Sequence, residues 1–153
     1  MTETSTQPIT QNIAKAGTWT GPAEPCALDY DARFLRRKVL NTDAGDSFLV
    51  DLPHTTSINH GDAFEMNDGR KIQIIAAAED LLEVTGHDLP RIAWHIGNRH
   101  TPCQIGEGRL LIQRDHVLKD MLIKLGAELA EVSEPFTPEG GAYGHGRTHG
   151  HSH

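Results

Sequence analysis

Leu81-Leu82-Glu83-Val84, Asp88-Leu89-Pro90-Arg91-Ile92-Ala93-Trp94-His95-Ile96-Gly97-Asn98, Cys103-Gln104-Ile105, Leu110-Leu111-Ile112-Gln113, Asp115-His116-Val117-Leu118-Lys119-Asp120-Met121-Leu122 and Ala127 to Val132 follow one another with only short turns between them. Their order decides the fold. The first stretch is a short apolar run of strand length. In the second, Asp88 is a good N-cap, Pro90 suits the first turn, and Ile92, Ala93 and Ile96 recur on one helical face. Gly97-Asn98 reads as the helix stop, because both residues tolerate the left-handed conformation of C-terminal caps. That puts His100 just past the helix end. Gly106-Glu107-Gly108 joins the next two strands as a hairpin. A second helix starts at Asp115, presents Val117, Leu118, Met121, Leu122 and Leu125 on one face, and is closed by Gly126 before the last strand. Strand, helix, strand, strand, helix, strand is the split βαβ or ferredoxin-like order, with two helices on one face of a four-stranded antiparallel sheet.

Working outward, residues 1–78 carry no comparable helical pattern. Phe48-Leu49-Val50, Ala63-Phe64-Glu65-Met66 and Lys71-Ile72-Gln73-Ile74-Ile75 read as strands. Turn signals at Asp43-Ala44-Gly45-Asp46, Leu52-Pro53, His60-Gly61-Asp62 and Asn67-Asp68-Gly69 separate them. Ile9 and Ile13 fit a strand or an anchoring turn. Beyond Pro135, Pro, Gly and His become frequent and apolar periodicity ends, which predicts a flexible tail. The class expected is α+β: an all-β domain over 1–78, a ferredoxin-like βαββαβ domain over 79–135, and a His-rich tail over 136–153.

Composition narrows the function. A net charge of -7 repels phosphate backbones and anionic membrane surfaces, so nucleic acid and membrane are poor partners. Aromatic residues at 5% give little material for base stacking. No apolar run approaches the roughly 20 residues of a spanning helix, and residues 1–18 lack the basic start and apolar stretch of a signal peptide. A cytoplasmic location is expected. Cys26 and Cys103 are the only cysteines; with no CxxC spacing and a reducing compartment, both are expected as thiols. Neither GxSxG, GxxxxGK[ST] nor HExxH occurs, so a hydrolase or nucleotide-driven activity has no support.

Histidine stands out. There are ten, and His145, His149, His151 and His153 crowd one Gly- and Ser-containing stretch. Interspersed imidazoles on such a backbone bind borderline transition metals (nickel, copper, zinc) in preference to magnesium or calcium. The plain alternative, an inert tail or a tag, fits less well because the histidines are spaced rather than consecutive.

Trp94-His95-Ile96-Gly97-Asn98-Arg99-His100-Thr101-Pro102 and Asp115-His116-Val117-Leu118-Lys119-Asp120-Met121-Leu122, with Pro135-Phe136, Pro138-Glu139-Gly140-Gly141-Ala142-Tyr143 and the His-rich end, resemble the UreE family of urease accessory proteins over nearly the whole chain. The resemblance implies a nickel-binding metallochaperone. It would act as a homodimer and pass nickel to apo-urease together with the accessory GTPase, without catalysing a reaction itself. In that family the histidine matching His100 lies at the dimer interface and binds nickel with its two-fold mate. The resemblance also implies that the amino-terminal domain is like a peptide-binding domain of a heat-shock co-chaperone.

Each position has a second reading. A lone histidine beyond a helix is too few ligands for a transition ion, although a two-fold axis supplies a second copy. His100 could equally cap the helix C-terminus as a cation; the resemblance favours the ligand. His116 matches a secondary metal position, but Arg114 stands where some relatives carry a further histidine, leaving ligand and surface residue open. His95 reads as surface or interface packing. Cys103 is more simply a small buried hydrophobe than a soft ligand, Cys26 simply packs, and His54, His60 and His87 read as exposed turn residues. Asp88 and Asp115 read as caps. Passive nickel or zinc storage, and a metal-dependent enzyme using His100 and His116 with a carboxylate, are the competing functions. The metal ligands expected are His100, His116, His145, His149, His151 and His153, with nickel as the cargo and zinc or copper possible at the same imidazoles.

Overall fold

The computed structural model describes residues 7–140 and divides between Ala77 and Ala78 into two compact units. It is a mixed α+β protein, mostly strands with two α-helices. Among the described residues no helix is long and apolar enough to cross a membrane.

The first unit contains β1 (Ile9–Ala14), β2 (Glu24–Leu28), β3 (Phe34–Asn41), β4 (Ser47–Ser57), β5 (Ala63–Met66) and β6 (Lys71–Ala76). They form one sheet in the order β2-β6-β5-β1-β4-β3. Alternation sets which side chains go inward: along β6, Ile72, Ile74 and Ala76 are buried, and along β4, Phe48, Val50 and Leu52 are. The Phe48 and Phe64 rings meet at 5.6 Å, tilted by 59°, at the centre of this core. Ile9 and Ile13 do lie on a strand, β1, which pairs parallel to β4 and antiparallel to β5.

One expected turn is absent. Leu52-Pro53 lies inside β4, where the pairing jumps from Leu35↔Thr56 to Arg37↔Asp51. Leu52, Pro53, His54 and Thr55 thus oppose a single residue, Arg36. Proline is tolerated because a bulged residue owes no N–H to the ladder.

The second unit contains β7 (Ala78–Thr85), α1 (Leu89–Gly97), β8 (Gln104–Gly106), β9 (Arg109–Gln113), α2 (His116–Lys124) and β10 (Glu128–Pro135). The sheet order is β10-β7-β9-β8, with every pairing antiparallel. Leu82 and Val84 of β7, Leu110 and Ile112 of β9, Ile92 and Ile96 of α1, and Leu118 and Leu122 of α2 make one buried cluster. Both helices therefore cover the same sheet face. Val117, expected on that face, is 53% exposed; one step before Leu118 it sits about 100° round the helix from the core-facing row.

Strand directions fix what meets where. β9 runs antiparallel to both β7 and β8, and β10 runs antiparallel to β7. It follows that β8 begins, and β9 and β10 finish, at one end of the sheet. His100 precedes the start of β8 and His116 follows the finish of β9, so the ends of α1 and α2 that carry them lie at that same end.

Candidate metal site

α1 ends at Gly97 with Asn98 as its C-cap, where the sequence puts the stop, but neither of those residues makes the left-handed turn. Asn98 is right-handed at φ -65° and ψ -16°, and the left-handed residue is His100, at φ +57°. The His100 N–H donates to the Gly97 carbonyl at 2.9 Å and the Thr101 N–H to the Ile96 carbonyl at 3.5 Å. This is the paired bonding of a Schellman motif with His100 in the position usually held by glycine. Thr101 precedes Pro102, which biases it to extended backbone and prevents the helix from continuing. The chain must reverse its handedness just before that point, and His100 is where it does so.

α2 ends in the same motif with the usual residue. Gly126, at φ +84°, donates its N–H to Ile123 at 3.0 Å, and Ala127 donates to Leu122 at 3.0 Å. A side chain with a Cβ in the left-handed region costs roughly 1–2 kcal/mol over the right-handed one. The unit thus uses glycine at one helix end and sets a half-buried imidazole, at a conformational cost, at the other. His100 is the only non-glycine residue with positive φ among the described residues, the kind of outlier that marks functional positions.

His116 is the first residue of α2 and is exposed. Its neighbour Asp115 is the cap, with Oδ1 accepting from the Val117 N–H at 2.8 Å and the Leu118 N–H at 3.2 Å. Asp88 makes no such bond at α1; its carboxylate instead takes the Arg91 Nε at 3.0 Å. His95 is half-buried and its ring stands edge-on to Trp94, with centroids 5.1 Å apart. Arg99 extends its Nε to within 3.1 Å of the Met121 sulfur, in a groove between α1 and α2 that His95 also lines.

The cysteines behave as packing residues. Cys26 is fully buried, and burial, then Asp43, pushes its thiol up to about 11. Cys103 packs partly against the helix-covered core; burial, then Glu139, pushes its thiol up to about 11 as well. A thiol so raised is a poor source of thiolate. His54, His60 and His87 are exposed, but His60 is not idle: its Nδ1 accepts the Ala76 N–H at 3.0 Å.

Composition placed the tail from residue 136, and the structure holds its first residues firmly. Phe136 is fully buried. The Thr137 N–H donates to Gln104 Oε1 at 2.9 Å, and the Glu139 N–H to the Cys103 carbonyl at 2.9 Å. Just before them, Glu134 accepts both arms of the Arg109 guanidinium at 2.7 Å, while Arg109 also reaches Glu83 at 2.8 Å. That fork holds the Glu134 carboxyl below the ordinary range. The chain accordingly leaves β10 at one edge of the sheet and is fastened to the start of β8 at the other, three residues from His100. A single buried phenylalanine beyond a proline was the one sequence signal for this, and the Pro- and Gly-rich composition masked it.

The histidines His145, His149, His151 and His153 lie outside the described residues. Among the described residues no three His, Cys, Asp or Glu side chains gather into a metal-holding group.

Comparison with known proteins gives the class and then the family. Residues 6–77 match the N-terminal domain, and residues 79–153 the C-terminal domain, of the UreE urease accessory protein. The urease accessory protein UreE of Ruegeria pomeroyi is 66% identical over 146 residues, covering 95% of this chain and 98% of that protein. Its counterpart in Ruegeria sp. (strain TM1040) is 65% identical over 128 residues, 84% of this chain and 73% of the relative. The counterpart in Cereibacter sphaeroides is 60% identical over 147 residues, 95% and 80% respectively. The chain belongs to the UreE family of urease accessory proteins, and its role lies in urease maturation.

Proposed function

We propose that the protein is a nickel metallochaperone: a homodimer that holds nickel between the two copies of His100 and passes it to apo-urease in company with the accessory GTPase. The observation that carries this reading is the convergence at one end of the second unit's sheet. His100, His116 and the fastened root of the His-rich tail all belong to segments that begin or finish there. Strand polarity in a split βαβ sheet brings them to one end, although the sequence separates them widely.

One imidazole per chain is an incomplete site, and a two-fold axis doubles it without further sequence. The tail supplies the rest. His145 follows Glu139 by six residues, an extended reach of roughly 20 Å, while His100 lies only three residues from the point where Glu139 is fastened. Neutral imidazoles suit nickel, with zinc and copper as competitors, and a half-buried site lets incoming ligands displace them one at a time. His116, exposed beside the same sheet end, serves as an auxiliary ligand. The setting is the cytoplasm, where the recipient is made.

The test is urease activation against nickel concentration for the wild-type chain, His100→Ala, and a full-length chain with His145, His149, His151 and His153 all replaced by alanine. His100→Ala is expected to fail at low and moderate nickel, and the tail variant mainly when nickel is scarce. Wild-type activation by His100→Ala, with complete failure of the tail variant at every concentration, would reverse the ranking of the two sites. Activation no better than equal free nickel would reduce the protein to a store.

A further inference from the structure

Residues 15–23, between β1 and β2, belong to no strand, yet the first unit holds them at several points. The Ala16 N–H donates to Asp62 Oδ1 at 2.9 Å, and the Thr18 N–H and hydroxyl both donate to the Lys15 carbonyl, at 3.0 and 2.6 Å. The Trp19 Nε1–H donates to the Gly61 carbonyl at 3.1 Å. Gly61 seats the loop: at φ +91°, a Cβ there would meet the Ala16 Cβ at 3.1 Å. Asp62 is 2% exposed, and its second oxygen takes the Asn59 N–H at 2.9 Å. A buried carboxylate, costly unless hydrogen-bonded, is thus committed to holding a surface loop.

What the loop carries is an indole that the core does not use. Trp19 is half-buried and is not among the residues that make or touch the unit's core. It walls a cleft of about 630 Å³ with Ile13, Ala14, Lys15, Glu65 and Lys71. Glu65 and Lys71 oppose each other in the β5–β6 ladder, and among the described residues neither lysine forms an ion pair. Two ammoniums against one carboxylate leave the rim positive, in a chain whose net charge is -7. The strands beneath, β1, β5 and β6, are all interior to the sheet. They offer no free edge for strand pairing, so recognition here runs through side chains.

We infer that this cleft docks an acidic segment of a partner protein: an apolar side chain seats against Trp19, and carboxylates on either side of it meet Lys15 and Lys71. An indole already held in place presents a large apolar area at small entropic cost. The positive rim favours acidic chains and repels basic ones. The site needs no metal and stands whether or not His100 holds nickel.

The experiment uses the full-length chain carrying Trp94→Phe, which leaves Trp19 as its single indole. The probe is a short blocked peptide of aspartate and glutamate around a central leucine. Its controls are the same peptide with serine for leucine, the same peptide with amides for carboxylates, and free glutamate at equal concentration. The acidic peptide is expected to shift Trp19 emission to the blue and to saturate. The serine and amide peptides bind more weakly, and free glutamate leaves the emission unchanged. Lys15→Gln with Lys71→Gln is expected to weaken the acidic peptide by roughly two- to thirty-fold, the range for two exposed ion pairs, and to flatten its salt dependence. Lys15→Arg with Lys71→Arg restores both. Trp19→Ala abolishes binding in calorimetry while the far-UV circular dichroism is retained.

The inference is overturned if the acidic peptide leaves Trp19 emission unchanged up to millimolar concentration, if the amide peptide binds as tightly, or if the double glutamine variant binds like the wild type. An equal response to free glutamate would make the cleft a site for small acids and overturn the protein partner. If Trp19→Ala unfolds the chain, the lysine variants decide.

Discussion

Replacing His100 with glycine separates the site from the fold. At φ +57° a Cβ costs roughly 1–2 kcal/mol relative to right-handed backbone, and glycine removes that cost. Against it stands the greater freedom of glycine in the unfolded chain, about 0.4–1 kcal/mol. The difference leaves His100→Gly about 0.5–1 kcal/mol more stable than His100→Ala, which keeps the Cβ in the same conformation. For a unit of this size that is a gap in Tm of about 2–8 °C. The assay is thermal unfolding of both variants in the presence of a chelator, so that bound metal contributes nothing, followed by nickel calorimetry. Both variants are expected to lose the tightest nickel site equally. If the glycine variant is no more stable than the alanine one, the left-handed cap is not a source of strain. If either retains the tight isotherm, His100 is not the ligand.

The mirror experiment is Gly126→Ala, where open space surrounds the missing Cβ; only backbone conformation opposes it, and a loss of about 1 kcal/mol in denaturant unfolding is expected. The Arg109 fork gives a pH signature. Because Glu134 is held below its ordinary value of 4.5, its contribution is fully present above that pH and fades as pH falls through the lowered value. The stability gap between wild type and Glu134→Gln should therefore be flat from pH 7 to about 5 and shrink below 4.5; a gap that grows with acid refutes it. At pH 8 a Cys103 thiol raised to about 11 from 9.0 has about a hundredfold less thiolate than the unfolded chain. Alkylation followed by mass spectrometry should be slowed accordingly, and Cys103→Ala should leave nickel affinity unchanged.

The second unit was legible because each of its elements carries its own local signal. Asp115 looks like a cap and is one, Gly126 looks like a left-handed stop and is one, and Gly108, at φ +71°, turns the β8–β9 hairpin. The misreadings came where local preference was overruled. Gly97-Asn98 marks the helix stop correctly, but the left-handed reversal expected of those residues falls on a histidine instead, just ahead of Thr101-Pro102. Asp88 has the right chemistry for a cap, but Arg91 takes its carboxylate. In the first unit, Pro53 signals a turn and is absorbed by a bulge, because β4 has pairing partners on either side of it that keep the strand going. Of the candidate site, the residues were readable and their meeting place was not: which end of a sheet a loop occupies follows from strand pairing, and pairing is non-local.

The position of β1 sets the order in which the first unit can be completed. This strand is the earliest in the sheet to be synthesised, yet it lies in the sheet's interior between β5 and β4. A nascent chain therefore holds β1 without either neighbour until residues near 47–66 have emerged, and the parallel partner of β2, at residues 71–76, comes later still. Closing such long loops is slow, so the sheet can be completed only after its last strands are made. Removing residues 9–14 would not trim an edge: it would take away the strand that pairs with both β5 and β4, leaving β2, β6 and β5 joined to β4 and β3 only through the shared core.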